Sequence, residues 1–322
     1  MRGVRGFGRA VRWLRSRVVR GGLILLYHRV AVSSVDPFDL CVTPEHFRAQ
    51  MAALRSWANP MSVVDLIAAS ARGKLPSRAV AVTFDDGYFD TLRDALPALT
   101  EHDIPATIFV TTGNPGEAFW WDRLCYQILN GARLPSRLEL QAGEQSYSWT
   151  ITSASRRSLR RLLCEIHMLC RRLPIHIRGA VVKQIEAWPG GEVPNDVRAL
   201  TATEIKELAV ASVVTIGAHT VNHPTLSDLT SQEQLHEMRQ SRADLEVLLG
   251  KTVTEMSYPS GLRGRDYNDD TVLLARAAGY TCACAAHTDV VHVGADVMQL
   301  PRYWVYDWSG DQLIRQLAVW LR

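Results

Sequence analysis

Short apolar runs alternate with amphipathic segments along most of the chain. Four of these runs have the length and composition of buried strands: GLILLYHRV (22–30), AVAVTF (79–84), IPATIFVTTG (104–113) and VVTIG (213–217). Between the first two runs, Phe47, Met51 and Leu54 recur at helical spacing behind Thr43, a suitable N-cap. Leucines spaced as on one helix face separate the second run from the third. A strand, a helix and a strand within about 30 residues predict a βαβ unit with parallel pairing.

The spacing changes in the middle of the chain. Residues 120–134 and 155–188 have the periodicity of helices, and the segment between them alternates on both sides of Gly143, which predicts a β-hairpin. Strands and helices alternate again after residue 200. We therefore interpret residues 120–200, approximately, as a mainly helical insertion in one domain that spans residues 21–322.

The last third of the chain carries several signals for helix ends. Thr201 with Glu204 and Ser231 with Gln234 have capping-box spacing, and Gly250 is suited to end the second of these helices. The whole pattern contains six or seven strands separated by helices. It favours a βα barrel or a doubly wound sheet, in which functional side chains lie at the carboxyl ends of parallel strands.

The first 20 residues are strongly basic. They carry seven arginines and no acid, and the first acidic residue is Asp36. Their apolar residues are spaced three and four apart, which predicts a basic amphipathic arm suited to an anionic membrane surface. A disordered basic tail or a transit peptide fits the same composition. GLILLY is too short for a signal-peptide core, and no apolar run reaches the ~18 residues of a spanning helix, so we expect a cytoplasmic protein, peripheral at the inner membrane if the arm binds lipid.

Composition places the chain among ordinary globular proteins. It has 322 residues, of which 47% are hydrophobic and 21% charged, which excludes a disordered protein. The net charge of +3 gives no reason to expect a nucleic-acid partner. None of the six cysteines forms a CxxC pair, so we expect reduced thiols buried in the core. The oligomeric state is left open.

Candidate chemistry follows two of the predicted strands. Asp85 and Asp86 come directly after AVAVTF, and His219 and His223 come directly after VVTIG. Taken alone, Asp-Asp-Gly is ordinary turn chemistry, and two histidines four residues apart fit a polar loop. Taken together, two imidazoles and one carboxylate form a three-ligand zinc-type site with a position open for water.

TFDDGY and HTVNHP resemble the first two motifs of the polysaccharide deacetylases, the fourth family of carbohydrate esterases. LYHRV, VTPEHFRAQ, ATIFVTTG, SYPSG and LPR extend the resemblance over most of the chain outside the arm and the insertion. The resemblance implies a distorted (β/α)7 TIM-like barrel. It also implies a metal-dependent hydrolase that removes N-acetyl or O-acetyl groups from a polysaccharide, an oligosaccharide or a lipid-linked sugar.

The resemblance assigns roles to these four side chains. Asp85 is expected to be the catalytic base, and Asp86, His219 and His223 are expected to bind one divalent metal ion. Zn2+ is the first choice, with Co2+, Mn2+ and Ni2+ as alternatives. A bound cation would polarise the acyl carbonyl and lower the pKa of a bound water, the nucleophile, whose proton Asp85 accepts.

Two later motifs depart from the family pattern. The third motif often carries an arginine where SYPSG has Ser257, and Arg302 in LPR is either a substitute partner for the catalytic aspartate or a surface arginine. The late motif that supplies a histidine acid has no clean match. His287 and His292 are the candidates by position, and His287 is our choice for the acid.

Further residues are expected to line the substrate groove because they follow strands. The predicted substrate contacts are His28, Tyr258, Pro259 and Gly261. Trp120 and Trp121 either stack on sugar rings or anchor the insertion to the barrel.

Other functions fit parts of the pattern. A deformylase of a lipid-linked amino sugar would use the same chemistry. A non-catalytic glycan-binding barrel would have no need for a base beside metal ligands, so the intact quartet favours an enzyme. An unrelated zinc amidase or nuclease is a further alternative, although neither a phosphate-binding glycine loop nor a basic core surface is evident.

Overall fold

A computed structural model describes residues 21–130 and 134–321, so the predicted basic arm over residues 1–20 lies outside the described residues. The strands are β1 (Leu23–Tyr27), β2 (Arg29–Val30), β3 (Cys41–Val42), β4 (Asn59–Pro60), β5 (Ala79–Phe84), β6 (Ala106–Val110), β7 (Arg137–Ala142), β8 (Gln145–Thr150), β9 (Val214–Ala218), β10 (Glu255–Ser257), β11 (Cys282–Cys284) and β12 (Tyr303–Trp304). The α-helices are α1 (Pro44–Trp57), α2 (Val63–Ala71), α3 (Leu96–Glu101), α4 (Trp120–Leu129), α5 (Arg156–Arg172), α6 (Ile175–Glu186), α7 (Ala202–Val210), α8 (Ser231–Leu249), α9 (Asp269–Ala277) and α10 (Gly310–Trp320).

The main sheet is parallel and curled. Its strands lie in the order β11-β10-β9-β6-β5-β1-β12, and β4 pairs with the start of β5. Leu300 bridges Cys284 at one edge, and the chain then continues into β12 beside β1 at the other edge. The α/β class is thereby confirmed, and the curled sheet agrees with a barrel of seven βα units.

The two faces of the sheet pack into different cores because strand residues alternate in direction. In β5, Val80, Val82 and Phe84 join the large core that includes the apolar face of α1. Ala79 and Ala81 face the other side, in a smaller core that includes residues of α2. The residues after β5 lie at the carboxyl edge of the sheet, where the site is predicted.

The segment between β6 and β9 has a core of its own. This core is formed by the apolar residues of α4, the antiparallel hairpin β7–β8, α5 and α6. The hairpin is confirmed, with Gly143 in its turn at φ 64°. The helical pattern over 155–188 forms two helices rather than one, since proline at position 174 cannot continue a helix and instead precedes α6. The helix predicted over 120–134 ends at Leu129. That this segment is an insertion stays a prediction.

The capping boxes differ in one position from the sequence-based prediction. The box of Thr201 and Glu204 is confirmed. The second box is formed by Thr230 and Glu233, so the assignment to Ser231 and Gln234 was wrong by one residue. The carboxylate of Glu233 accepts hydrogen bonds from both the backbone amide and the hydroxyl of Thr230. The side-chain amide of Gln234 instead donates to the backbone carbonyl of Leu229.

The described part of the chain contains no helix with the length and apolarity needed to cross a bilayer. Its six cysteines are all unpaired thiols, and four of them are buried as predicted.

Glu255 on β10 is a buried carboxyl group whose protonation should make folding stability depend on pH. It is 4% exposed, and its one side-chain partner is the hydroxyl of Thr107, which donates to it at 3.2 Å. Burial raises the pKa of Glu255 from 4.5 to about 7. The folded chain therefore keeps a proton that the unfolded chain releases, so this stabilisation is complete below pH 4.5 and is lost as the pH rises through 7.

We expect wild type to lose up to about 3 kcal/mol of unfolding free energy from this group between pH 4.5 and pH 9. Glu255→Gln should lack that loss, so the stability of the variant relative to wild type should increase with pH. Denaturant unfolding at several pH values measures the difference, and Glu207→Gln, at an exposed position on α7, is the control. Parallel pH profiles of wild type and Glu255→Gln would contradict the prediction.

Candidate active site

A cavity of about 320 Å³ lies at the carboxyl ends of the parallel strands. Its wall includes Asp85, Asp86, His219, His223, His28 and Trp304. The aspartates follow β5, the two metal-type histidines follow β9, and the remaining two side chains come from the ends of β1 and β12. The four residues predicted from two distant motifs therefore lie in one site, as their positions at strand ends indicated.

Asp86, His219 and His223 form a compact group of donor atoms. Their ligand atoms all lie within 4.8 Å of one another. Oδ1 of Asp86 is 3.5 Å from Nε2 of His219 and 3.6 Å from Nε2 of His223. Nδ1 of His219 lies 2.9 Å from the carbonyl oxygen of Ser257, which places the ring proton on Nδ1 and leaves Nε2 free to bind a ligand.

The backbone is strained where these donor atoms are held. Asp86 has φ 70°, His223 has φ 50°, and Thr220 between the two histidines has φ 64°. Non-glycine residues rarely adopt this left-handed region, and such strain concentrates at functional sites. Gly87, at φ 81°, completes the Asp-Asp-Gly turn. The turn and the site are therefore one structure, and both interpretations of this stretch hold.

The three residues fit a divalent metal ion. Among the described residues, Oδ1 of Asp86 has no hydrogen-bond partner although it is buried. Burial raises the pKa of Asp86, with a further contribution from the charge of Asp85, and burial lowers the pKa of both histidines. A carboxylate oxygen without a hydrogen-bond partner beside the Nε2 atoms of two neutral imidazoles is a donor set that zinc-type cations bind. Asp86, His219 and His223 would hold the ion.

Asp85 is held by Arg302 through two hydrogen bonds. Nη1 and Nη2 of Arg302 donate to Oδ1 and Oδ2 of Asp85, each at 2.7 Å, and the hydroxyl of Ser257 donates to Oδ1 at 3.0 Å. Arg302 is 1% exposed and also donates to the carbonyl of Ala285 and the hydroxyl of Thr83. Of the two interpretations of Arg302, the structure places it as the partner of Asp85 and not on the surface.

Arg302 decides the charge of Asp85. Burial alone would raise the pKa of this carboxyl group, but the charge and hydrogen bonds of Arg302 outweigh burial and hold the pKa well below its usual range. Asp85 is therefore an anion at every pH at which the protein is expected to work.

The cavity wall does not contain His287, the histidine chosen from the sequence as the acid. His28 and His167 line the cavity, whereas His287 and His292 are absent from its wall. The backbone carbonyl of His287 accepts a hydrogen bond from the amide of Arg302, so this residue contacts the site through its main chain. Burial lowers the pKa of His28 to about 4, and its Nδ1 is buried with no hydrogen-bond partner among the described residues.

The SYPSG turn contributes a different residue from those predicted. Ser260 lines the cavity, whereas Tyr258, Pro259 and Gly261 are absent from its wall. Tyr258 points into the core, where its hydroxyl donates to a backbone carbonyl and its ring stacks on Tyr267. At Gly261, φ is 64°, and a Cβ atom would lie 2.8 Å from the amide nitrogen of Ala286. Glycine is therefore required there for close packing.

Trp120 and Trp121 make the contacts expected of anchoring residues, and sugar stacking by them stays a prediction. Both line the cavity. Nε1 of Trp121 donates to the hydroxyl of Tyr88, which in turn donates to Asp122, so the indole beside His223 is fixed in position. The ring of Trp120 stacks on His167 of α5 at 5.0 Å and so ties the helical segment to the cavity wall.

The cavity residues that sequence reasoning missed include His167, Arg171, Arg265 and Trp304. Two of them lie on the arginine-rich helix α5, where nothing in the local pattern separates them from solvent-facing residues. Trp304 had a usable signal, since it lies two positions after Arg302, and extended backbone directs such a pair of side chains to one side.

Comparison with known proteins places the chain. A family model described as polysaccharide deacetylase matches residues 72–166 and 176–283. The chain is 22% identical over 274 residues to YxkH of Bacillus subtilis and 32% identical over 108 residues to a poly-β-1,6-N-acetyl-D-glucosamine N-deacetylase of Staphylococcus aureus. These matches span 65% and 37% of the two relatives' lengths and 83% and 30% of this chain.

Solved structures show the same fold. The deacetylase PplD of Streptococcus pyogenes, in complex with acetate, superposes with a TM-score of 0.61 at 20% identity, covering 93% of this chain and 99% of the other. IcaB of Ammonifex degensii gives a TM-score of 0.61 at 19% identity, covering 94% and 97%. The family model matches more than half of the residues of this chain, and the chain therefore belongs to the polysaccharide deacetylase family.

Proposed function

We propose that the protein is a metal-dependent hydrolase that removes N-acetyl groups from the amino sugars of a polysaccharide. The observation that carries the proposal is the placement of Asp85, held by Arg302, beside the donor set of Asp86, His219 and His223 in one cavity. Family membership supports this reaction type.

The donor set supports Zn2+ as the ion, with Co2+, Mn2+ and Ni2+ as alternatives of similar ligand preference. When bound, a divalent ion supplies Lewis-acid chemistry: it polarises the acyl carbonyl and makes water a better nucleophile. The chain's own residues orient the substrate and move the protons.

Asp85 accepts the proton of the attacking water. A carboxylate has about four acceptor positions, and three of those on Asp85 are occupied by Arg302 and Ser257. The remaining position lies on Oδ2. Arg302 therefore orients the carboxylate and keeps it ionised while leaving one lone pair for water.

His28 is the proposed proton donor to the leaving amine, in place of His287. It lies in the cavity, and its pKa is lowered to about 4 because burial outweighs the opposing charge of Asp85. Such an imidazole is neutral at rest, so His28 takes up the proton that Asp85 accepted from water and passes it to the leaving nitrogen. Water adds to the carbonyl carbon, the carbon–nitrogen bond breaks, and the products are acetate and a free amine.

Poly-β-1,6-N-acetylglucosamine is the first substrate to test, because the Staphylococcus aureus relative that is named for it matches this chain at 32% identity. Acetate and primary amine should be released together by Zn2+-loaded wild type. Asp85→Asn should lower the rate by at least about a hundredfold, the scale of losing a general base. Asp270→Asn, at an exposed position on α9, is the control.

Each alternative predicts a different result. Formate release from a formylated, lipid-linked amino sugar, with no acetate from any glycan, would identify a deformylase. Glycan binding without release of either acid by the metal-loaded protein would favour the non-catalytic barrel and refute the hydrolase.

A further inference from the structure

Three aromatic side chains occupy alternate positions at the end of the last strand. Trp304 ends β12, and Tyr306 and Trp308 follow at intervals of two residues. Their ring centroids are 6.4 Å apart from Trp304 to Tyr306 and 5.3 Å apart from Tyr306 to Trp308. We call these three residues the aromatic row.

The aromatic row begins in the candidate active site and continues to the surface. Trp304 lines the cavity, and its ring centroid is 4.5 Å from that of His28. Tyr306 is 43% exposed. The row is therefore continuous with the cavity in which the reacting sugar would bind.

Core packing accounts for one end of the row but not for its middle. Trp308 lies 6.1 Å from Trp320 and packs at the edge of the main core. Tyr306 belongs to none of the hydrophobic clusters formed by the described residues. A large exposed aromatic side chain with aromatic neighbours on both sides is typical of a binding surface.

The backbone that carries the row is held rigidly. Asp307 accepts hydrogen bonds from the amide and the hydroxyl of Thr43, each at 2.8 Å, and its Oδ1 lies 2.8 Å from Nδ1 of His46. The buried amide of Gln50 donates to the carbonyl oxygens on both sides of Asp307. Because the loop is ordered before any ligand arrives, binding there does not require ordering it.

We propose that the aromatic row binds the sugar units next to the one being deacetylated, so that the substrate is a glycan chain of several units. The inference rests on the proposed function and deepens it, because it favours a polymer over a single lipid-linked sugar. Pyranose rings have apolar faces that pack on aromatic rings. The row lies beyond residue 283, where the match to the family model ends, so family membership does not assign it.

The test measures binding of oligosaccharides to the Asp85→Asn protein loaded with Zn2+, which should bind without turnover. The probes are β-1,6-linked and β-1,4-linked N-acetylglucosamine oligomers of two to six units. Affinity should rise with chain length for at least one linkage. Adding Tyr306→Ala should lower the ratio of hexamer to dimer affinity by about tenfold, a loss typical of truncating an aromatic anchor.

Two variants separate stacking from indirect effects. Tyr306→Phe keeps the ring and should keep the length dependence, and Tyr147→Ala removes a hairpin tyrosine outside the cavity wall and should also keep it. Unchanged length dependence in Tyr306→Ala, or acetate release by wild type with no preference for longer chains, would overturn the aromatic row alone. If no oligomer of either linkage binds and none is deacetylated, the proposed function fails as well.

Discussion

Replacing Arg302 by methionine should lower the free energy of unfolding by about 3–5 kcal/mol and abolish deacetylation. The guanidinium is buried and makes both of its parallel hydrogen bonds to Asp85. Methionine has a similar volume but no charge, so the variant leaves a buried carboxylate without its partner. Breaking a buried ion pair from one side is far more destabilising than replacing both members, because the remaining charge has lost its compensation.

Denaturant unfolding measures this loss, and a double-mutant cycle shows that the pair is its source. Adding Asp85→Asn to Arg302→Met should recover a large part of the lost stability, because no buried charge then remains. The matched control is Arg263→Met, which breaks a pair with Asp269 whose side chains are 56% and 76% exposed. That change should leave the free energy of unfolding almost unaltered, because solvent screens an exposed ion pair. A loss for Arg302→Met no larger than that for Arg263→Met would refute this account of the site.

Replacing His223 should remove the metal ion from the protein and with it the activity. Wild type is expected to hold about one divalent ion per chain, and the variant should bind it at least about a hundredfold more weakly, since even changes to residues that only support ligands cost 10–100-fold. Elemental analysis of the purified proteins and competition with a chelator measure stoichiometry and affinity.

The choice of replacement matters because His223 has a left-handed backbone, with φ 50°. Asparagine tolerates that conformation better than alanine, so His223→Asn separates loss of the ligand from backbone strain. His236→Ala, at an exposed position on α8, is the control and should keep the ion. Full metal content in both His223→Ala and His223→Asn, or none in wild type after incubation with Zn2+, Co2+ or Mn2+, would exclude the site.

The parts of the fold and site that could be predicted share one property: their signals are local in the sequence. Strand β5 shows as an apolar run, and Asp85 and Asp86 come directly after it. His219 and His223 are four residues apart after β9. Because parallel strands present their carboxyl ends at one edge, strand positions were enough to predict that these four residues meet.

The parts that failed depend on side-chain direction over one or two residues. Ser260 lines the cavity although Gly261 was predicted to do so. The backbone of both residues is left-handed, and no local signal in the sequence indicated this for Ser260. His287 lies at the right strand end but is absent from the cavity wall. Position along the chain identified the correct loop in both cases and the wrong side chain.

The sequence by itself determined the α/β class, the parallel pairing of the βαβ unit and the quartet of Asp85, Asp86, His219 and His223. Only the tertiary structure decided that Arg302 neutralises Asp85, that His287 is absent from the cavity wall, and that the row from Trp304 continues the cavity. The physical reason is separation: Asp85 and Arg302 are 217 residues apart, and their pairing follows from the curling of the sheet, which brings β12 back beside β1.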